Sequence, residues 1–229
     1  WSLCALGALL AIAFNPTFAQ KVALTSYADT STAVAVGFAV ALGWQMLNAL
    51  GENRKENARS LALQLGLVLL VLINMKQATL ALFLLVIGAV VLTGLRDPKI
   101  RFGDLLRLFP VIIIPSLIVF LAWRYHVAHE LDDKEFSIRP FSEWYIAEIP
   151  QILQRMLLVF SKKGLYLAIF LSVSFFSIHR FFRMRSHFDR LSVMVGAVML
   201  GYNAFLLFSY VAAFGKLDAL RAASLWRYN

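Results

Sequence analysis

Cysteine is almost absent from this chain. Cys4 is the only one in 229 residues, so no internal disulfide can form and thiol usage says nothing of the redox compartment. Charge is also scarce: 15% of residues are Asp, Glu, Lys or Arg against 60% hydrophobic, and a mean hydropathy of +0.72 excludes an ordinary soluble domain. The sequence has no phosphate-binding Walker loop, GxSxG elbow, dinucleotide fingerprint, CxxC pair, HExxH pattern or TVGYG filter, which removes several enzyme classes and one channel class. Internal repeats, low-complexity stretches and the ten-residue alternation of a membrane barrel are missing too. The net charge of +9 does not imply nucleic acid, because the basic residues are scattered over short connections between apolar runs.

What is present is a series of apolar segments at 1–15, 30–50, 60–75, 78–95, 108–123, 164–181 and 191–213. Most match the roughly 20 residues needed to cross about 30 Å of hydrocarbon. Only helices satisfy their own backbone in lipid without closing into a barrel, so the expected fold is all-α, a polytopic transmembrane bundle read as one domain over 1–229. The connections 51–59, 96–107 and 180–190 hold 11 Lys or Arg in 32 residues; 16–29, 76–77, 124–163 and 214–229 hold 11 in 72. The positive-inside rule places the first set in the cytoplasm and the second outside. The start, WSLCALGALLAIAF, lacks a basic n-region, and the end, AASLWRYN, has no terminating pattern; both read as cuts through a longer protein.

The outer stretch 141–163 carries Tyr145, Ile149, Ile152, Met156 and Phe160 at three- and four-residue spacing, the mark of an interfacial amphipathic helix with Pro150 near its start. Trp123, Tyr125, Trp144 and Tyr145 suit an aromatic belt.

Lys76 and Gln77 form the whole polar apex between two spans. A lysine buried at mid-membrane costs about 2.5–3.5 kcal/mol, so Lys76 either snorkels to the interface or meets an anion; with the Gln77 amide beside it, a lipid-anchored phosphate is the expected ligand. Asp29 either caps the second span or serves as an outer carboxylate acting on a hydroxyl. Arg221, Arg227 and Tyr228 follow the seventh span, either as a solvated juxtamembrane segment or aimed at outer headgroups. His126 and His129, with Glu130, Asp132 and Asp133 nearby, are a weak metal pattern better read as a polar loop, and His179 and His187 are interface residues. Tyr202 and Asn203 are expected to pack between helices.

The order of features resembles the membrane glycosyltransferases of the GT-C type, including bacterial aminoarabinose transferases and protein mannosyltransferases. The resemblance rests on the acidic residue before an outer-facing helix in YADTSTAVAV, the lysine hairpin in NMKQATLALFLL, the outer juxtamembrane stretch and the late pair Arg227–Tyr228. Glycine is commoner than Gln77 at its position, and the first outer loop with the principal carboxylate is missing, which an upstream segment would supply. The resemblance implies a bacterial cytoplasmic (inner) membrane enzyme of the cell envelope. It would move a sugar from a polyprenyl-phosphate donor to a lipid or glycan acceptor at the outer face. Asp29 would be an accessory acid or base, and Tyr27, Lys76, Gln77, Arg124, Arg221, Arg227 and Tyr228 would bind substrate. No cofactor is implied, and nothing indicates a divalent metal. A polysaccharide polymerase or ligase, a lipid-linked-sugar carrier, and a non-catalytic multi-spanning protein remain the alternatives.

Overall fold

The computed structural model describes residues 29–75, 79–130, 138–162 and 164–222, with the backbone only at 29, 30 and 130. The fold is all-α, and no strand occurs among the described residues. Helix α1 spans Asp29–Gly51, α2 Lys55–Met75, α3 Thr79–Arg96, α4 Phe102–Leu106, α5 Phe109–Glu130, α6 Ile149–Lys162, α7 Gly164–Phe182, α8 His187–Ala212 and α9 Lys216–Arg221. Single 3-10 turns occur at Phe141–Glu143 and Ile146–Glu148. Among the described residues six stretches are long and apolar enough to cross a membrane: Ser31–Gly51, Lys55–Met75, Thr79–Arg96, Phe102–His129, Gly164–Phe182 and His187–Ala212. They match six of the seven expected spans and fit an integral membrane protein; the seventh, 1–15, lies outside the described residues.

Two boundaries differ most from expectation. The fifth span does not stop at 123: WRYHVAH has no Gly or Pro to break it, so α5 runs on to Glu130 and carries Arg124, His126 and His129 on a helix rather than in the expected loop. The connection expected at 51–59 is only three residues long, because Lys55–Ser60 already forms the polar first turns of α2. Its tightness comes from a Schellman ending. Asn53 adopts a left-handed φ of 58°, the Asn53 N–H donates to Leu50 O (3.0 Å), and the Arg54 N–H reaches Ala49 O (2.8 Å).

The described residues form two compact units. The larger contains 35–75, 79–130 and 172–202. Its core draws Met46 and Leu47 from α1, Leu65, Leu69 and Leu72 from α2, Val86 and Val90 from α3, Ile112 from α5 and Met194 from α8. Large apolar side chains such as Phe38, Leu67, Leu84 and Ile118 stay exposed, as expected of helices facing lipid, where close packing rather than water exclusion selects the interior. Helix α2 lies along α5, and at their contact Gly66 leaves no room for a side chain: a Cβ there would stand 2.8 Å from Val111 O.

The smaller unit contains 29–34, 138–162, 164–171 and 203–222. Helix α6 begins at Ile149 with Pro150 in its first turn, where the missing N–H costs no helical bond. It buries Ile152, Met156, Val159 and Phe160, so three of the five stripe positions read from the sequence are buried; Ile149 is half-buried and Tyr145 lies ahead of the helix. Helix α9 packs on α6 and ends at Ala222, whose φ of 48° is left-handed.

Candidate functional site

The larger unit gathers three connections at one end. Helix α3 stops at Arg96 because Asp97 precedes Pro98, which disfavours helical backbone at 97. The freed Asp97 accepts the Lys99 N–H on Oδ1 (2.8 Å) and Arg190 Nε on Oδ2 (2.5 Å). Arg190 also donates from Nη1 to Asn48 Oδ1 (2.9 Å), and its Nη2 would stand 2.5 Å from a Cβ on Gly51. Both charges are nearly sealed from solvent, with Asp97 5% and Arg190 3% exposed.

Around this pair the same connections are stitched by further contacts. His187 Nε2 is 3.2 Å from Glu52 Oε1, Trp44 Nε1 donates to His187 O (2.7 Å), and Arg96 Nε donates to Phe181 O (2.8 Å). Ser186 and Asp189 form a reciprocal capping box at the start of α8: the Asp189 N–H donates to Ser186 Oγ (3.2 Å) and the Ser186 N–H to Asp189 Oδ2 (2.9 Å). The three connections expected on one membrane face therefore share one end of this unit.

The smaller unit builds a second cluster around Arg139. Its guanidinium donates to Tyr145 OH and to Phe214 O, and lies 4.7 Å from the centre of the Tyr145 ring. The Arg139 N–H donates to Ala212 O (2.9 Å) and the Tyr145 N–H to Val211 O (3.1 Å), fastening 139–145 to the end of α8. Trp144 donates from Nε1 to Arg139 O (2.8 Å) and meets Phe208 edge-on at 5.5 Å. Lys216 Nζ is 3.4 Å from Glu148 Oε1, which adds α9 to the cluster. Trp144 and Tyr145 are thus half-buried packing and hydrogen-bonding groups, whereas Trp123 and Tyr125 stay exposed as an aromatic belt requires.

The sequence-derived candidates fare unevenly. Tyr27, Lys76, Gln77, Arg227 and Tyr228 lie outside the described residues, as do Asp132 and Asp133. Asp29 is the first residue of α1. Arg124 is exposed on α5 in the larger unit and Arg221 is exposed at the last turn of α9 in the smaller. His126 and His129 sit on α5, where His129 Nδ1 lies 2.8 Å from Tyr125 O, and no group of three metal-ligating side chains occurs among the described residues. Asn203 reaches Tyr166 OH (3.4 Å), the inter-helix bond expected of a polar residue inside a span.

Asp97, Arg190 and Arg139 were not singled out from sequence. The S-x-x-D box at Ser186–Asp189 and the Asp-Pro break at Asp97–Pro98 were readable signals for the first cluster; nothing local pairs either with residues some 90 positions away. No family model, curated protein or solved structure matches the chain.

Proposed function

We propose that the protein is a membrane glycosyltransferase of the bacterial cytoplasmic (inner) membrane, moving a sugar from a polyprenyl-phosphate donor to a lipid or glycan acceptor at the outer face. The observation that carries this reading is the joining of 138–148 and 214–222, both expected outside, into one cluster beside the amphipathic α6. Such a structure suits the edge of a site that receives a lipid-borne substrate, with aromatic and cationic groups at headgroup level.

In the proposed reaction the acceptor hydroxyl oxygen bonds to the anomeric carbon while the bond from that carbon to the phosphate oxygen breaks. The hydroxyl proton passes to a carboxylate, and the electron pair leaves on the lipid phosphate. Asp29 is assigned as accessory acid or base. Lys76, Gln77, Tyr27, Arg124, Arg221, Arg227 and Tyr228 are assigned to donor and acceptor binding, the cations stabilising charge that grows on the phosphate.

Transfer of radiolabelled sugar from a polyprenyl-phosphate donor by the purified full-length protein tests the assignment. Lys76→Ala and Asp29→Ala should each lower turnover by about tenfold or more with unchanged yield of folded protein. Wild-type turnover in both variants would remove these residues from the site, and no transfer from any such donor would remove the reaction class.

A further inference from the structure

A cleft of about 250 Å³ opens beside the α1–α2 turn, lined by Leu50, Gly51, Asn53, Lys99, Arg101 and Asp104. Its one carboxylate is already engaged: Asp104 Oδ1 is 3.1 Å from Lys55 Nζ and 3.8 Å from Arg107 Nη1. Lys99 and Arg101 are exposed, and neither has an acidic side chain within 4 Å among the described residues. The cleft therefore presents two unmatched cations over a neutralised carboxylate. Next to Arg101, α4 exposes Phe102 (41%) and Leu106 (47%), four residues apart and so on one side of the helix.

A soluble anion would account for the cations but not for two large apolar side chains left bare beside them. An anionic lipid accounts for both, since its phosphate needs positive charge and its acyl chains need apolar surface at the same depth. We propose that this cleft is a binding site for the phosphate headgroup of an anionic phospholipid, with Lys99 and Arg101 as its cationic ligands and Phe102 and Leu106 against the chains. Lys99 is held for this role by the turn in which its N–H is bound to Asp97, so the buried Asp97–Arg190 pair fixes the cleft's rim. The site lies within the larger unit and stands independently of the transferase reading.

The test is retention of lipid by the full chain in detergent, followed by native mass spectrometry with phosphatidylglycerol, phosphatidylcholine and inorganic phosphate as probes. Phosphatidylglycerol should be retained over phosphatidylcholine, and Lys99→Gln/Arg101→Gln should weaken it about tenfold, the order expected for two charges acting on one headgroup. Arg183→Gln/Arg185→Gln removes equal charge from another basic connection and should leave retention unchanged. Equal loss in both double variants would reduce the effect to net charge and overturn the site. So would equal retention of phosphatidylcholine, or displacement of phosphatidylglycerol by millimolar inorganic phosphate. Should the double variant fail to fold, Lys99→Gln and Arg101→Gln singly, both outside helices, give the same readout at smaller size.

Discussion

Gly66 of α2 faces the Val111 carbonyl of α5 so closely that a Cβ would stand 2.8 Å from the oxygen and 3.2 Å from Ile112 Cα. Val111 is four residues before Pro115, the residue whose missing N–H would otherwise close the helical bond to that carbonyl. Proline thus deprives one helix of a donor at the level where glycine lets the other helix approach. The approach suits a weak Cα–H contact to the oxygen, between two helices that contribute Leu65, Leu69 and Ile112 to the same core.

Gly66→Ala should therefore destabilise the larger unit by about 1–3 kcal/mol, the usual cost of forcing extra volume into a packed contact. Gly88→Ala on α3 is the matched control: nothing lies within 4 Å of its Cβ position, so the change should be neutral or stabilising by up to about 1 kcal/mol. Unfolding in detergent, followed by circular dichroism, measures both. Equal effects at the two glycines would show that the close approach does not matter.

Removing one side of the Asp97–Arg190 pair leaves a buried charge without its partner, so Asp97→Ala should cost about 3–5 kcal/mol. Arg190→Met should be comparable, because it leaves the Asp97 carboxylate buried. The double variant Asp97→Leu/Arg190→Met removes both charges and should recover part of the loss. A double-mutant cycle on the same unfolding signal measures the coupling, and strictly additive losses would deny it.

The six apolar helices and the amphipathic α6 were legible because each rests on a pattern within one segment: length and hydropathy for the spans, and Ile152, Met156 and Phe160 at helical spacing for α6. The continuation of α5 to Glu130 was missed because Arg124, His126 and His129 read as polar loop, while helix propensity and the lack of a breaker kept the backbone helical. The clusters at Arg190 and Arg139 were missed for another reason. In an apolar chain the polar residues find each other across large sequence separations, 93 positions for Asp97 and Arg190 and 75 for Arg139 and Phe214. One sequence carries no local signal for such pairs.

Orientation can be measured on two exposed positions. With Cys4 replaced by Ser, cysteines at Asn57 and Glu143 give single reporters in the larger and smaller units, and both sites are exposed to reagent. The charge bias predicts that a membrane-impermeant maleimide added to intact cells modifies Glu143→Cys, and Asn57→Cys only after permeabilisation. The reverse pattern would invert the topology and remove 124–163 from the outer face.

The Arg139 side chain ties Tyr145 to the chain after α8, so its removal should be felt at a distance from its own backbone. Tyr145→Phe deletes a single hydroxyl acceptor and keeps the ring under the guanidinium, and about 0.5–1.5 kcal/mol is expected. Arg139→Ala deletes that bond, the bond to Phe214 O and the ring contact together, and should cost more, on the order of 2–3 kcal/mol. Arg139→Lys should sit near the alanine variant, because one ammonium cannot reproduce a planar fork that reaches two acceptors while lying on a ring. Hydrogen exchange at the Tyr145 N–H, bound to Val211 O in the folded chain, separates local from global effects. Fastest exchange in Arg139→Ala, slower in Tyr145→Phe and slowest in the wild type would establish the guanidinium as what holds 139–145 on α8, whereas unchanged protection in Arg139→Ala would assign that role to the backbone bonds alone.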